Sequence, residues 1–301
     1  MTDGNRINNV AVVGAGSVGG FYGAQAAMVS GNRVSFCVRT PFDRLVLESE
    51  GEETVLKVPI LTDPGQATFH DWVLLAVKAH QTEAAAPWLE ALCGPNTVVA
   101  VLQNGVEHVE RVAPHANGAE VIPTIVRYGG EATEPGRIRH YTYGHLLIPR
   151  GATGERLAAL FEGSKAEVEL TAQFAMEAWA KLVTNVAANA IPAITAQRFP
   201  VFRRPDVARL AQRLMLECIE VAAAEGVTLD PGLARSEVDR LAGLPDNVGS
   251  SMLYDRLAGR SLEHDALNGA VVRFGRRHSV ETPLNDAMVA LLGAISDGVA
   301  G

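Results

Sequence analysis

Residues 9–19 read NVAVVGAGSVG. A short apolar strand over 9–13 runs directly into Gly14-Ala15-Gly16-Ser17-Val18-Gly19, and an alanine-rich segment of helical character continues to about Ser30. Strand, G-x-G-x-x-G turn and helix in that order open a dinucleotide-binding βαβ unit. Gly14 permits the tight turn, Gly16 lets a pyrophosphate approach the backbone, and Gly19 allows close helix packing. The first helical residues, Ser17 and Val18, then offer N–H groups to the anion. The glycines alone would be weak evidence, and the flanking strand and helix give them their meaning.

The second strand falls at 33–38, and its end bears on the cofactor. An NAD-binding unit places Asp or Glu about 20 residues past the glycines to hold the ribose 2′-hydroxyl, whereas this chain has Arg39 and Thr40. A guanidinium fork suits a 2′-phosphate, which points to NADP(H); the alternative is that Arg39 is an ordinary strand-end charge. Residues 41–49 read as a helix, followed by a variable region to Pro64. The apolar run 72–77 is a buried parallel-type strand that ends at Lys78, 81–92 is a helix, and 97–102 is a strand ending in Gln103-Asn104-Gly105. Ligands of open α/β sheets lie outside the carboxyl ends of the strands, so Lys78 and Asn104 share an edge with Gly14. Asn-Gly is equally a turn signal, and both readings of Asn104 stand. Short β segments over 120–148, punctuated by Gly129-Gly130, Pro135-Gly136 and Gly144, suggest partly antiparallel strands closing the far side of the sheet. A helix over 154–161 and a strand near Val168 complete the domain.

Beyond that point the pattern is helical, with breakers at Pro205, Gly226, Asp230-Pro231, Pro245 and Pro283. The expected fold is therefore α/β: an N-terminal Rossmann-type dinucleotide-binding domain over 1–171, then an all-α domain over 172–301. A chain of 301 residues fits two such cores. Within the helical part, WAKLVTNVAAN (residues 179–189) places Lys181, Asn185 and Asn189 four residues apart on one face, among alanine, valine and leucine. That polar seam is either solvated or partnered by a ligand. A net charge of −8 disfavours nucleic acid or an anionic membrane surface as partner, and leaves Arg203-Arg204 and Arg276-Arg277-His278 as solvated helix faces. Cys37, Cys93 and Cys218 lack metal or disulfide spacing and read as reduced core thiols; His80 has no metal partner at useful spacing. The polar segment 1–9 and the lack of an apolar run of bilayer length suggest a cytoplasmic protein.

These motifs resemble the ketopantoate reductases (2-dehydropantoate 2-reductases). The resemblance runs through the glycine turn, Val77-Lys78, Gln103-Asn104-Gly105, the 179–189 stretch, Ser250-Ser251-Met252-Leu253, and Glu263-His264-Asp265 with Asn268-Gly269. It implies an NADP-binding Rossmann domain, a helical second domain, a substrate held in the cleft between them, and reduction of a small 2-oxo acid, by default ketopantoate. By that resemblance Lys181 is the catalytic lysine that protonates the ketone oxygen. Asn104 and Asn185 contact substrate and nicotinamide, with Asn189 one turn further. Ser251 binds the substrate carboxylate, and Glu263 holds the substrate hydroxyl and orients the lysine. On local grounds alone Ser251 reads as a helix N-cap and Glu263 as a first-turn acid complementing the helix dipole. His264 and Asp265 read as helix surface, and Asn268 as a packing or domain-contact residue. The chain departs from the family pattern at Ala190, where proline is usual, at the turn over 195–200, at Tyr254 and at Leu262. Those departures keep open a different carbonyl or imine substrate on the same fold. A non-catalytic NADP-binding sensor would require the catalytic set to be degraded. The apolar helical domain suggests a homodimer, and no metal is implied.

Overall fold

The structure, a computed structural model, describes residues 7–300. Residues 1–6 of the polar segment expected over 1–9 lie outside the described residues. The chain divides into two compact units, Met1–Phe174 and Ala175–Gly301.

In the first unit the elements run β1 (Asn8–Val13), α1 (Ser17–Met28), β2 (Asn32–Cys37), β3 (Leu45–Ser49), β4 (Glu52–Leu56), β5 (Ile60–Leu61), β6 (Trp72–Leu75), α2 (Ala86–Leu92), β7 (Val98–Val101) and α3 (His108–Val112). They continue with β8 (Glu120–Pro123), β9 (Ile125–Glu134), β10 (Arg137–Pro149), α4 (Ala152–Ala159) and β11 (Glu167–Thr171). A six-stranded sheet in the order β5-β2-β1-β6-β7-β8 is parallel throughout. Its inner strands are buried on both faces, so they read as continuous valine, leucine and alanine rather than as an alternating pattern.

A second sheet, β11-β10-β3-β4 with β9 also paired to β10, departs from the expected arrangement. β8 extends the parallel sheet, whereas β9 and β10 form an antiparallel pair in this separate layer. The helix expected over 41–49 is instead strand β3: Leu45, Val46 and Leu47 are all buried, held between β10 on one side and β4 on the other. The helix expected over 81–92 is shorter, with two 3₁₀ turns at Ala79–Gln81 and Glu83–Ala85 before α2 begins. Helix α1 is buried on nearly every side from Gly19 to Ala26, as a helix covered by sheets must be. Its side chains share one core with both sheets.

The second unit is helical, as expected: α5 (Phe174–Ala188, which begins at the unit boundary), α6 (Ala190–Thr195), α7 (Pro205–Ala224), α8 (Gly232–Ala242), α9 (Ser251–Leu257), α10 (Asn268–His278) and α11 (Pro283–Ala300). Helix α5 is fixed in rotation by its buried residues. Trp179 meets Phe274 of α10 edge-on with ring centroids 5.5 Å apart, while Leu182, Val183 and Val186 are buried beside it. A buried polar network ties the bundle together. Asn268 donates through Nδ2 to Val186 O (3.0 Å) and to Asn285 Oδ1 (2.9 Å), and Asn285 donates to Leu214 O and Glu217. Asn268 is therefore a packing residue that joins α5, α10 and α11.

Burial pushes the Cys37 and Cys93 thiols up to about 12 and raises Cys218 as well, so all three stay protonated and unreactive. The basic clusters are exposed, as expected of solvated faces, and carry surface pairings as well. Arg203 donates to Ala242 O and Leu244 O, Arg276 bonds Asp286, and His278 bonds Glu225. Among the described residues no helix is long and apolar enough to cross a membrane.

Candidate active site

Four adjacent parallel strands of the first unit end level. Val13 pairs with Cys37 and with Leu75, and Leu75 pairs with Val101. Hydrogen bonds carry the alignment past the strand ends: Gly14 N donates to Cys37 O (3.0 Å), Ala76 N to Val13 O (2.9 Å) and Leu102 N to Leu75 O (2.8 Å). Level ends bring the glycine turn, Arg39, Lys78 and Asn104 to one edge, in the lateral order Arg39, glycine turn, Lys78, Asn104. The strand order reverses between β1 and β6, which is where such sheets open a crevice for a dinucleotide. With strands about 5 Å apart, these four positions spread along one edge on the order of 15 Å long.

The three glycines of the turn have different physical reasons. Gly14 has φ +97°, and a Cβ there would sit 2.9 Å from Val77 Cγ1. At Gly19 a Cβ would lie 2.0 Å from Gly14 O and 2.8 Å from the Ala76 Cβ, so α1 can start against the sheet only without a side chain. Gly16 is the reverse case: nothing lies within 4 Å of its Cβ position. It precedes α1 with no side-chain cap on the helix amides. An open space over uncapped N–H groups fits a pyrophosphate. Arg39 is exposed just past β2, with no hydrogen bond or ion pair among the described residues.

Lys78 and Asn104 are both half-buried, and Gly105 follows with φ +111°, so the turn reading of Asn104-Gly105 holds alongside the edge position. Sequence reasoning missed what holds them. Gln103 and Thr82, both buried, are bonded to each other and to the backbone on either side of Lys78.

In the second unit, Lys181, Thr184 and Asn185 occupy the half-buried flank of α5. Thr184 donates to Glu237 of α8 at 2.8 Å. Asn189 stands in the one-residue break between α5 and α6 and is 6% exposed, so it is a hub rather than a surface residue. Its Nδ2 donates to Asn185 Oδ1 (3.3 Å), while its Oδ1 accepts from Ser251 Oγ (3.2 Å) and Met252 N (3.3 Å).

The cap reading of Ser251 is corrected: Ser250 is the N-cap of α9, its Oγ accepting from Leu253 N at 3.2 Å. Ser251 is left exposed with its hydroxyl toward Asn189. The first-turn reading of Glu263 is corrected too. The residue is buried in the non-helical stretch between α9 and α10, which begins only at Asn268. Thus Asn185, Asn189 and Ser251 form one hydrogen-bonded chain, with Lys181 one helical turn before Asn185.

Comparison with known proteins agrees over almost the whole length. The family model "Ketopantoate reductase PanE/ApbA" matches residues 10–153, and its C-terminal counterpart matches 173–296. The 2-dehydropantoate 2-reductase of Mycobacterium tuberculosis is 40% identical over 96% of this chain and 98% of its own. The crystal structure of a PanE/ApbA family ketopantoate reductase from Ralstonia eutropha superimposes with a TM-score of 0.89 at 33% identity, covering 97% of this chain and 100% of the other. A dimeric ketopantoate reductase from Staphylococcus aureus gives a TM-score of 0.86 at 25% identity, covering 97% and 99%. A glycine turn built for a dinucleotide and a lysine beside an asparagine–serine chain accompany these likenesses, and the chain belongs to the ketopantoate reductase family, as a nicotinamide-dependent oxidoreductase.

Proposed function

We propose that this chain reduces 2-dehydropantoate to pantoate with NADPH. The observation that supports it most is the Asn185–Asn189–Ser251 chain one turn from Lys181. Residues 1–171 serve as the NADP-binding domain, with Gly14, Gly16, Ser17, Val18 and Gly19 on the pyrophosphate, Arg39 on the 2′-phosphate, and Lys78 and Asn104 toward the nicotinamide. Residues 172–301 serve as the substrate and dimerisation domain. NADPH, when bound, supplies the hydride that reduces the ketone carbon.

Lys181 holds a proton at the ketone oxygen, stabilises the charge that grows there and donates the proton as the alcohol forms. Asn185 and Asn104 orient the 2-oxo acid. Ser251 turns its hydroxyl to the carboxylate, and Asn189 Oδ1 keeps its Met252 N–H partner when it does. Glu263 accepts from the substrate hydroxyl and orients Lys181. A homodimer working in the cytoplasm completes the reading.

A second reading, a different carbonyl substrate on the same chemistry, is favoured by Tyr254. It lies three residues after Ser251 on the same helix face, and its hydroxyl accepts from Gly249 N at 2.9 Å, which fixes the ring beside the carboxylate contact. The deciding experiment is the initial rate of NADPH consumption with 2-dehydropantoate, 2-oxoisovalerate and a simple aldehyde in parallel. Saturable turnover of 2-dehydropantoate alone supports the first reading. Turnover of another carbonyl supports the second, and NADPH binding without any turnover supports a sensor.

The cofactor preference has its own test. Arg39→Asp removes the fork for the 2′-phosphate and adds an acceptor for a 2′-hydroxyl. The expected result is a fall of about tenfold or more in kcat/KM for NADPH, with NADH favoured over it. An unchanged NADPH to NADH ratio would assign phosphate recognition to another residue.

A further inference from the structure

We propose that Gln103 and Thr82 form a buried clamp that sets the separation of Lys78 and Asn104, and so act as positioning residues for the nicotinamide end of the cofactor. The inference rests on the reading of Lys78 and Asn104 as cofactor contacts. Gln103 is 5% exposed and Thr82 4%, so their polar atoms must find partners inside the protein. Gln103 Nε2 donates to Val77 O and to Thr82 Oγ1, both at 3.0 Å. A carbonyl oxygen can only accept, which fixes the orientation of the amide. Thr82 Oγ1 accepts that bond and donates to Ala79 O at 2.9 Å.

The two carbonyls held in this way, Val77 O and Ala79 O, are those immediately before and after Lys78. The same Gln103 is the residue immediately before Asn104, and its own carbonyl accepts from the buried His108 Nε2 at 2.9 Å. One pair of side chains thereby grips the backbone at both cofactor contacts, across a gap of 21 residues in the chain. The sheet's ladder does not reach this far, because both segments lie past the ends of β6 and β7; the 3₁₀ turn at Ala79–Gln81 bonds Thr82 N to Ala79 O at 3.2 Å, and the side-chain pair ties that turn to the segment before Asn104.

The test is an NADPH titration followed by nicotinamide fluorescence on the full chain, with thermal denaturation to confirm folding. Thr82→Val keeps the shape and removes the hydroxyl; it is expected to raise the NADPH Kd about tenfold, the scale of a contact displaced by a fraction of an ångström. Thr82→Ser restores the hydroxyl and is expected to stay within about twofold. Gln103→Glu sets a carboxylate oxygen against Val77 O and is expected to weaken binding at least as much as Thr82→Val. In a Lys78→Ala, Asn104→Ala background, adding Thr82→Val should change Kd by less than about twofold, because a positioning residue acts only through what it positions. An undiminished effect in that background, or a silent Thr82→Val in the parent, overturns the clamp. If the Lys78→Ala, Asn104→Ala protein itself binds NADPH like the parent, the reading of those two contacts falls, and the clamp with it.

Discussion

Lys181→Ala is expected to lower kcat by about three orders of magnitude while leaving NADPH affinity within about twofold, since general-acid contributions are of order 10²–10⁴. The asymmetry follows from where the charge appears. In the ground state the ketone oxygen is a weak acceptor; as hydride reaches the carbon, that oxygen becomes an alkoxide, and a positioned ammonium gains most at that moment. An interaction made chiefly in the transition state lowers kcat and kcat/KM together when it is removed. The position is rigid enough for this role: Trp179 against Phe274, the buried Leu182 and Val183, and the Thr184 bond to Glu237 leave α5 no freedom to rotate. Initial rates at saturating NADPH and 2-oxo acid, paired with a fluorescence titration for NADPH, read both quantities. A variant turning over within tenfold of the parent would remove Lys181 from the catalytic role.

Much of this site was legible in the sequence, and what escaped has a common physical cause. The glycine turn is local: strand, loop and helix are consecutive, and the constraints on Gly14 and Gly19 come from atoms nearby or one strand away, such as Ala76 and Val77. The helical spacing of Lys181 and Asn185 is local too. β3 is not. Its pattern, Leu45-Val46-Leu47, is too short to separate strand from helix by period, and what decides it is pairing with β10, as between Ser49 and His140, 91 residues apart. Likewise nothing in the spacing of Thr82 and Gln103 announces that they meet. Ser250 and Ser251 are both serines at a helix start, and only the hydrogen bond to Leu253 N assigns the cap to Ser250 and releases Ser251 for other work. Asn189, expected on the helix face, ends up in the break after α5, where its amide joins α5 to α9.

Gly19→Ala and Gly16→Ala, two identical substitutions three residues apart, are expected to fail in different ways. At Gly19 the new Cβ would stand 2.0 Å from Gly14 O and 2.8 Å from the Ala76 Cβ. Neither can retreat: the Gly14 N–H is bonded to Cys37 O, and the Ala76 N–H to Val13 O. The helix would have to lift instead, yet α1 is braced along its length. Gly20 lies so close to Ile138, and Gly23 to Phe36, that a Cβ at either would fall 2.4 Å from the neighbouring side chain. Overpacking of this kind costs about 1–3 kcal/mol or more. Moving the α1 amides by about 1 Å removes on the order of a hundredfold in binding of the group they face. Gly19→Ala should therefore lower Tm and abolish measurable NADPH binding together.

At Gly16 the Cβ meets nothing within 4 Å and the backbone, at φ −69° and ψ −171°, suits alanine. The unliganded protein should gain about 0.4–1 kcal/mol from the stiffer unfolded chain, a rise of about 1–4 °C in Tm. The added methyl nevertheless fills the space above the uncapped amides, so NADPH affinity should fall at least about tenfold, and with it the rise in Tm that ligand binding confers on the parent. Thermal scans of both variants with and without NADPH separate the two cases. A Gly16→Ala protein that NADPH stabilises as fully as the parent would show that the pyrophosphate does not lie over Gly16, and would move the cofactor off this turn altogether.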